Sequence, residues 1–171
     1  LVAVACDRTA GATADGKSAV VPAAPAAPSV AAKAAQEGAP AAASNVEVAA
    51  YRVAVRPIGS YKKGQPAAFE IALETKGDYH VNVEYPAKFK ALESDAVSYA
   101  QAKLERAKDP GAFTLKPCAA GSDSCAMTVH VAFTPQRTGD VRLGGDFHVG
   151  VCTKDTCLVE KVTLELPIVV S

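Results

Sequence analysis

The stretch that most limits what this chain can become is "GDVRLGGDFHVGVCTKDTCLVEKVTLELPIVV", Gly139 to Val170. Before its centre, Val141, Leu143, Phe147, Val149 and Val151 share one face of an extended chain, and Arg142, Asp146, His148 and Cys152 share the other. Beyond it, Val162, Leu164, Leu166 and Ile168 are apolar, while Cys157, Lys161, Thr163 and Glu165 point away. A period of two is the mark of a strand with one buried face. Thr153-Lys154-Asp155-Thr156 between them has a common hairpin-loop length. That loop places Cys152 opposite Cys157 and His148 opposite Lys161. Opposed Cα atoms lie about 4.5–5.5 Å apart, within reach of a disulfide.

The same alternation recurs upstream. "AFEIALE" turns Phe69, Ile71 and Leu73 inward and Glu70 and Glu74 outward. "DYHVNVEYP" turns Tyr79, Val81, Val83 and Tyr85 inward, with His80, Asn82 and Glu84 outward. "AMTVHVAF" does so with Met127, Val129, Val131 and Phe133. Turn-formers in "KKGQP", "TKGD" and "TPQRTGD" separate these runs. "VEVAAYRVAV" (Val46–Val55) is expected to be a first strand and "KVTLELPIVV" (Lys161–Val170) a last one. Ala96–Lys108 is expected to be a strand crossing between sheets. Seven or so such strands predict an all-β fold, an immunoglobulin-like antiparallel β-sandwich over residues 46–171.

Lys and Arg number 18 and Asp and Glu 18, so the formal net charge is zero and gives no footprint for nucleic acid. The five cysteines fall into a lone Cys6 and two close pairs, Cys118 with Cys125 and Cys152 with Cys157. That is the arithmetic of an oxidising compartment, and neither spacing is that of a structural zinc site. "LVAVAC" reads as the end of a secretory hydrophobic region. Its Ala3-Val4-Ala5-Cys6 resembles the lipobox of bacterial lipoproteins. The resemblance implies that Cys6 carries the lipid and begins the mature chain. Residues 7–45, rich in Ala and interrupted by Pro22, Pro25, Pro28 and Pro40, lack the large apolar side chains that offset ordering entropy. They are expected to be a disordered linker. The layout is then residues 1–6 as signal-peptide remnant with its lipidation Cys, 7–45 as linker and 46–171 as the folded head. Such a protein sits in the bacterial cell envelope, anchored to a membrane by lipid and facing the periplasm or the cell surface.

For the two close pairs, loop entropy gives about 2 kcal/mol for the shorter ring and about 2.5 kcal/mol for the longer. Such values suit local clips in a non-enzymatic interaction or scaffold module. The segment "GDFHVGVCTKDTCLVEKVTLELPI", however, resembles the N-terminal, immunoglobulin-like domain of the DsbD thiol:disulfide interchange proteins. That resemblance implies that Cys152 and Cys157 exchange electrons with a periplasmic thiol–disulfide partner protein, without a cofactor. Cys118 and Cys125 then form a structural disulfide. For that family's aromatic cap loop, the Tyr79–Phe89 region is a candidate.

Around the pair, His148 shares the outward face of Cys152 but lies roughly 13 Å along the strand, at about 3.3 Å per residue. Lys161, opposite His148, is equally remote. Lys154 is the cation near enough to favour a thiolate, and Gly150 is expected to leave room beside the sulfur for an attacking thiol. Tyr79, His80, Asn82 and Tyr85 form either a strand with an aromatic core face or, with Lys154, a partner-binding edge. His80, His130 and His148 all face outward without ligand spacing. A copper site built from Met127, His148 and the cysteine pair is a further alternative, because soft ligands suit Cu(I). Interaction module, exchange module and copper binder thus stand open.

Overall fold

Among the residues the computed structural model describes, 43–119 and 123–171, the strictest alternation gives the longest strands. Eleven strands follow in chain order: β1 (Asn45–Glu47), β2 (Tyr51–Pro57), β3 (Ala67–Thr75), β4 (His80–Val81), β5 (Lys88–Ala91), β6 (Val97–Tyr99), β7 (Lys103–Glu105), β8 (Phe113–Pro117), β9 (Ser124–Pro135), β10 (Gly139–Cys152) and β11 (Cys157–Val170). One short 3₁₀ turn, Pro110–Ala112, precedes β8. All described residues fall in one unit, Glu37–Ser171. Cys6, the signal-peptide remnant and the Ala/Pro-rich stretch up to residue 42 lie outside the described residues.

The strands form an immunoglobulin-like antiparallel β-sandwich. One layer runs β1-β2-β3-β9, with β8 and β6 on the far edge of β9; the other runs β11-β10-β5-β7. The two-residue β4 pairs with β9 through Val81 and Ser124 and with β10 through Val81 and Val151, stitching the layers at one end. Between the layers Phe69, Phe89, Phe133 and Phe147 are almost wholly buried. Phe69 of β3 meets Phe89 of β5 edge-on, with ring centroids 6.1 Å apart. Each such side chain contributes about 1.5–3 kcal/mol relative to exposure.

The inward sets Phe69/Ile71/Leu73, Met127/Val129/Val131/Phe133, Val141/Leu143/Phe147/Val149/Val151 and Val162/Leu164/Leu166/Ile168 are all buried. The 96–108 stretch reaches both layers, but as two three-residue strands rather than one: β6 pairs with β9 and β7 with β5. Two other expectations fail. Val46–Val55 is a hairpin rather than one strand, because the chain turns at Val48–Ala50 so that β1 pairs with β2. The alternation from Tyr79 to Tyr85 stops being a strand after Val81, and Val83, expected inward, is 48% exposed. Asn82 causes that exit: its Oδ1 accepts the Glu84 and Tyr85 N–H groups at 2.8 and 3.2 Å, a local turn that competes with the ladder.

At the other end of the chain's order, Ala43 binds the free edge of β11, its N–H reaching the Thr163 carbonyl at 3.5 Å and its carbonyl accepting Glu165 N–H at 3.1 Å. Within β10, Gly144 and Gly145 permit close approach of both neighbours. A Cβ at Gly144 would lie 2.1 Å from the Leu164 carbonyl oxygen, and one at Gly145 would lie 2.1 Å from that of Lys90. The tandem glycine therefore fixes β10 tightly between β11 and β5.

Candidate functional site

β10 and β11, 14 residues each, pair in one unbroken register from Gly139↔Val170 to Cys152↔Cys157. The four-residue loop at the tip is held by Thr153, whose N–H reaches the Thr156 carbonyl at 2.8 Å. Its Oγ1 accepts N–H groups from Asp155 at 3.3 Å and Thr156 at 3.2 Å. This is the local bonding expected of a Thr that opens a turn. Cys152 and Cys157 are disulfide-bonded with Cα atoms 4.1 Å apart. His148 opposes Lys161, as the register requires.

The surroundings of the pair depart from the sequence reading. Parity turns both cysteines to the outward face, yet Cys152 is buried at 4% exposure whereas Cys157 is exposed. Residues 82–85 run beside the pair. Asn82 N–H binds the Gly150 carbonyl at 2.9 Å, and Asn82 Nδ2 approaches Cys157 Sγ at 3.9 Å. From below, the Arg106 guanidinium donates to the Val83 carbonyl. Gly150 does not leave room for an attacking thiol. A Cβ there would lie 2.9 Å from Tyr85 Cβ, so the missing side chain makes a seat for the tyrosine. A nucleophile arriving from solvent therefore meets Cys157 first.

Lys154 is not the only group beside the pair that can be cationic, because β4 places His80 directly opposite Cys152. Opposed side chains in an antiparallel ladder share a face, with Cβ atoms about 4.5–5.5 Å apart. His80 Nδ1 lies 3.9 Å from Asp123 Oδ2. His80, Asn82, Asp123, Thr153 and both cysteines line a recess of about 330 Å³. His80, Asp123 and Thr153 also line a second recess of about 700 Å³, together with Tyr79, Lys154 and the Cys118–Cys125 disulfide. Tyr79, His80, Asn82 and Lys154 thus line the recesses at the two disulfides, while Tyr85 packs on Gly150. The role of His80 is hidden in the sequence, since "DYHVNVEYP" gives its face but not the strand it pairs with.

Cys118 and Cys125 are bonded with Cα atoms 4.7 Å apart, and both are half-buried. Here β8 and β9 slip register between Lys116 and Pro117. The Cys118 N–H is satisfied by the Asp123 carbonyl at 2.7 Å.

The copper set does not assemble. Met127 is 1% exposed inside the core, whereas His148 lies on the outer face of β10 beside Lys88 and Lys161. Both cysteine pairs are closed as disulfides. Among the described residues no group of three His, Cys, Asp or Glu side chains is placed to hold a metal ion. No described helix is long and apolar enough to cross a membrane.

No protein-family model and no curated protein sequence matches the chain. Two solved structures are similar in shape. One is the PapD-like (ASH) domain 7 of human CEP192, at 12% identity over 74% of this chain and 91% of that chain, with a TM-score of 0.29. The other is AggA, the major subunit of aggregative adherence fimbriae type I from Escherichia coli, at 9% identity over 71% of this chain and 95% of that chain, with a TM-score of 0.32. Neither likeness bears on the chemistry at the disulfides.

Proposed function

We propose that the domain is a thiol–disulfide exchange module with Cys152 and Cys157 as its couple, held at the bacterial cell envelope by a lipid on Cys6. The observation that carries this reading is the asymmetry of the pair: Cys157 is exposed, whereas Cys152 is buried opposite His80. Exchange is directional, and a partner thiolate needs one accessible sulfur to attack and one to expel. Cys157 Sγ receives the attack and the S–S bond breaks. The electron pair passes to Cys152 Sγ, and a mixed disulfide links the partner to Cys157. A second thiol of the partner then resolves it, leaving this domain reduced and the partner oxidised. Tyr85, seated on Gly150 two residues before Cys152, is a candidate for the aromatic cap that the DsbD-like reading requires.

A challenge of the native protein with dithiothreitol at pH 7, quenched by alkylation, tests it. Cys152–Cys157 is expected to open at least about tenfold faster than Cys118–Cys125, in keeping with its exposed sulfur. Equal rates, or opening only on unfolding, contradict the reading. The interaction-module alternative is favoured by one observation, the outward Val159 and Val169 of β11 at 61% and 73% exposure. It expects both pairs to stay closed.

A further inference from the structure

The exchange step releases Cys152 as a thiolate in a buried place, and a buried anion without a partner is costly. The structure supplies one group for it that is opposed in register rather than distant along the strand. We infer that His80 is the acid–base partner of the couple, stabilising the Cys152 thiolate as imidazolium and handing it a proton as the S–S bond breaks. This rests on the exchange reading above. It adds a residue that no motif around the cysteines announces.

Three placements carry it. His80 and Cys152 are directly paired, so their side chains leave the same face as neighbours. Both line the recess that also opens onto Cys157. The strand that presents His80 is fixed from both sides, to Ser124 of β9 and Val151 of β10 through Val81. The charged groups that line the two recesses with His80 are Asp123 at the entry to β9, 3.9 Å from its Nδ1, Asp78 before β4, Lys154 and Asp155 in the hairpin loop, and Glu84 after β4. Lys154 is exposed at the loop tip, on the Cys118–Cys125 side. An imidazole is the side chain that gains or loses a proton between pH 5 and 8, the range over which exchange must run.

The step balances with a dithiol donor. The donor thiolate forms a bond to Cys157 Sγ, the Cys152–Cys157 bond breaks, and the electron pair stays on Cys152 Sγ. The His80 proton moves to that sulfur, and bulk solvent returns a proton to the ring. In the oxidising direction His80 takes the proton back from Cys152.

Two variants test this, His80→Gln, which keeps a polar side chain without the charge, and His80→Lys, which keeps the charge. In protein reduced with a phosphine, thiolate absorbance at about 240 nm is expected to show one cysteine titrating below the free-thiol value of about 8.5. His80→Gln is expected to move that titration up by about one pH unit, and His80→Lys to keep it low. With dithiothreitol, the wild-type rate per donor thiolate is expected to rise as pH falls between about 8 and 5.5. The His80→Gln rate is expected to stay flat. Identical titrations and pH profiles in wild type and His80→Gln overturn this inference even where the pair exchanges readily. A pair that stays closed at every redox poise overturns the exchange reading instead, whatever the absorbance shows.

Discussion

The two disulfides close rings of nearly the same size, at sequence separations of 7 and 5, yet they sit in opposite kinds of surroundings. Cys118–Cys125 ties β8, whose one strand partner among the described residues is β9, beside the place where the register slips. The ladder there is irregular and a covalent link holds it. Cys152–Cys157 closes the tip of the longest hairpin in the fold, where 14 residues on each strand and the Thr153 turn already hold the register. The backbone can hold that tip without the sulfur–sulfur bond. What surrounds this second pair is chemical: a buried cysteine opposite a histidine, an exposed cysteine at a recess, and a neighbouring segment held by Asn82 and Arg106. Ring size alone does not separate a clip from a couple; neighbours do.

Removing each link is the strongest way to break the comparison. Cys118→Ala with Cys125→Ala is expected to cost about 2.5 kcal/mol in urea unfolding and to release the β8 amides in hydrogen exchange. Cys152→Ala with Cys157→Ala is expected to cost about 2 kcal/mol at most and to leave the β10–β11 amides protected below the tip. Loss of that protection would make the second pair a clip as well. Gly150→Val comes next. Its side chain meets Tyr85, at a cost of about 1–3 kcal/mol for overpacking. Displacement of the ring is expected to speed dithiothreitol opening of Cys152–Cys157 about tenfold, a change of about 1.4 kcal/mol in barrier, with Cys118–Cys125 unaffected.

Arg106→Ala, which frees the Val83 carbonyl, is expected to act in the same direction by only about threefold, since the Asn82 turn persists. The smallest effect is one of acid. Glu105 is held down to about 2 by hydrogen bonds from Lys103 at 2.6 Å and Lys108 at 2.9 Å. A lowered carboxylate contributes stability that is present above its ordinary value of 4.5 and is lost as pH falls towards 2. Glu105 adjoins Arg106, so the Arg106 amide and then the segment around Val83 are expected to loosen over that window, read by amide chemical shifts. No loosening above pH 2 would remove Glu105 from the support of the segment.

Much of the fold was legible because burial imposes a period of two, and a slip of one residue would have turned Val141, Leu143 and Phe147 to solvent. The Cys152↔Cys157 register followed from the same parity and a four-residue loop. Long-range pairing was not legible. Nothing in "DYHVNVEYP" says that His80 meets Cys152, or that Asn82 pulls the chain off the ladder after Val81. The same limit hid the burial of Cys152: parity turns a side chain outward but does not say what lies above it. Gly150 shows the difference, since a residue that looked like open space is the seat of Tyr85.

The central claim is that Cys152–Cys157 is a couple and Cys118–Cys125 is a clip. An equilibrium redox titration of the full chain, with alkylation of free thiols and mass mapping of each cysteine, tests it most directly. The account expects Cys152–Cys157 to open near about −200 mV while Cys118–Cys125 stays closed to below about −300 mV. Both pairs resisting reduction together to below about −300 mV would contradict it, and would leave the hairpin tip as a second clip on an immunoglobulin-like sandwich.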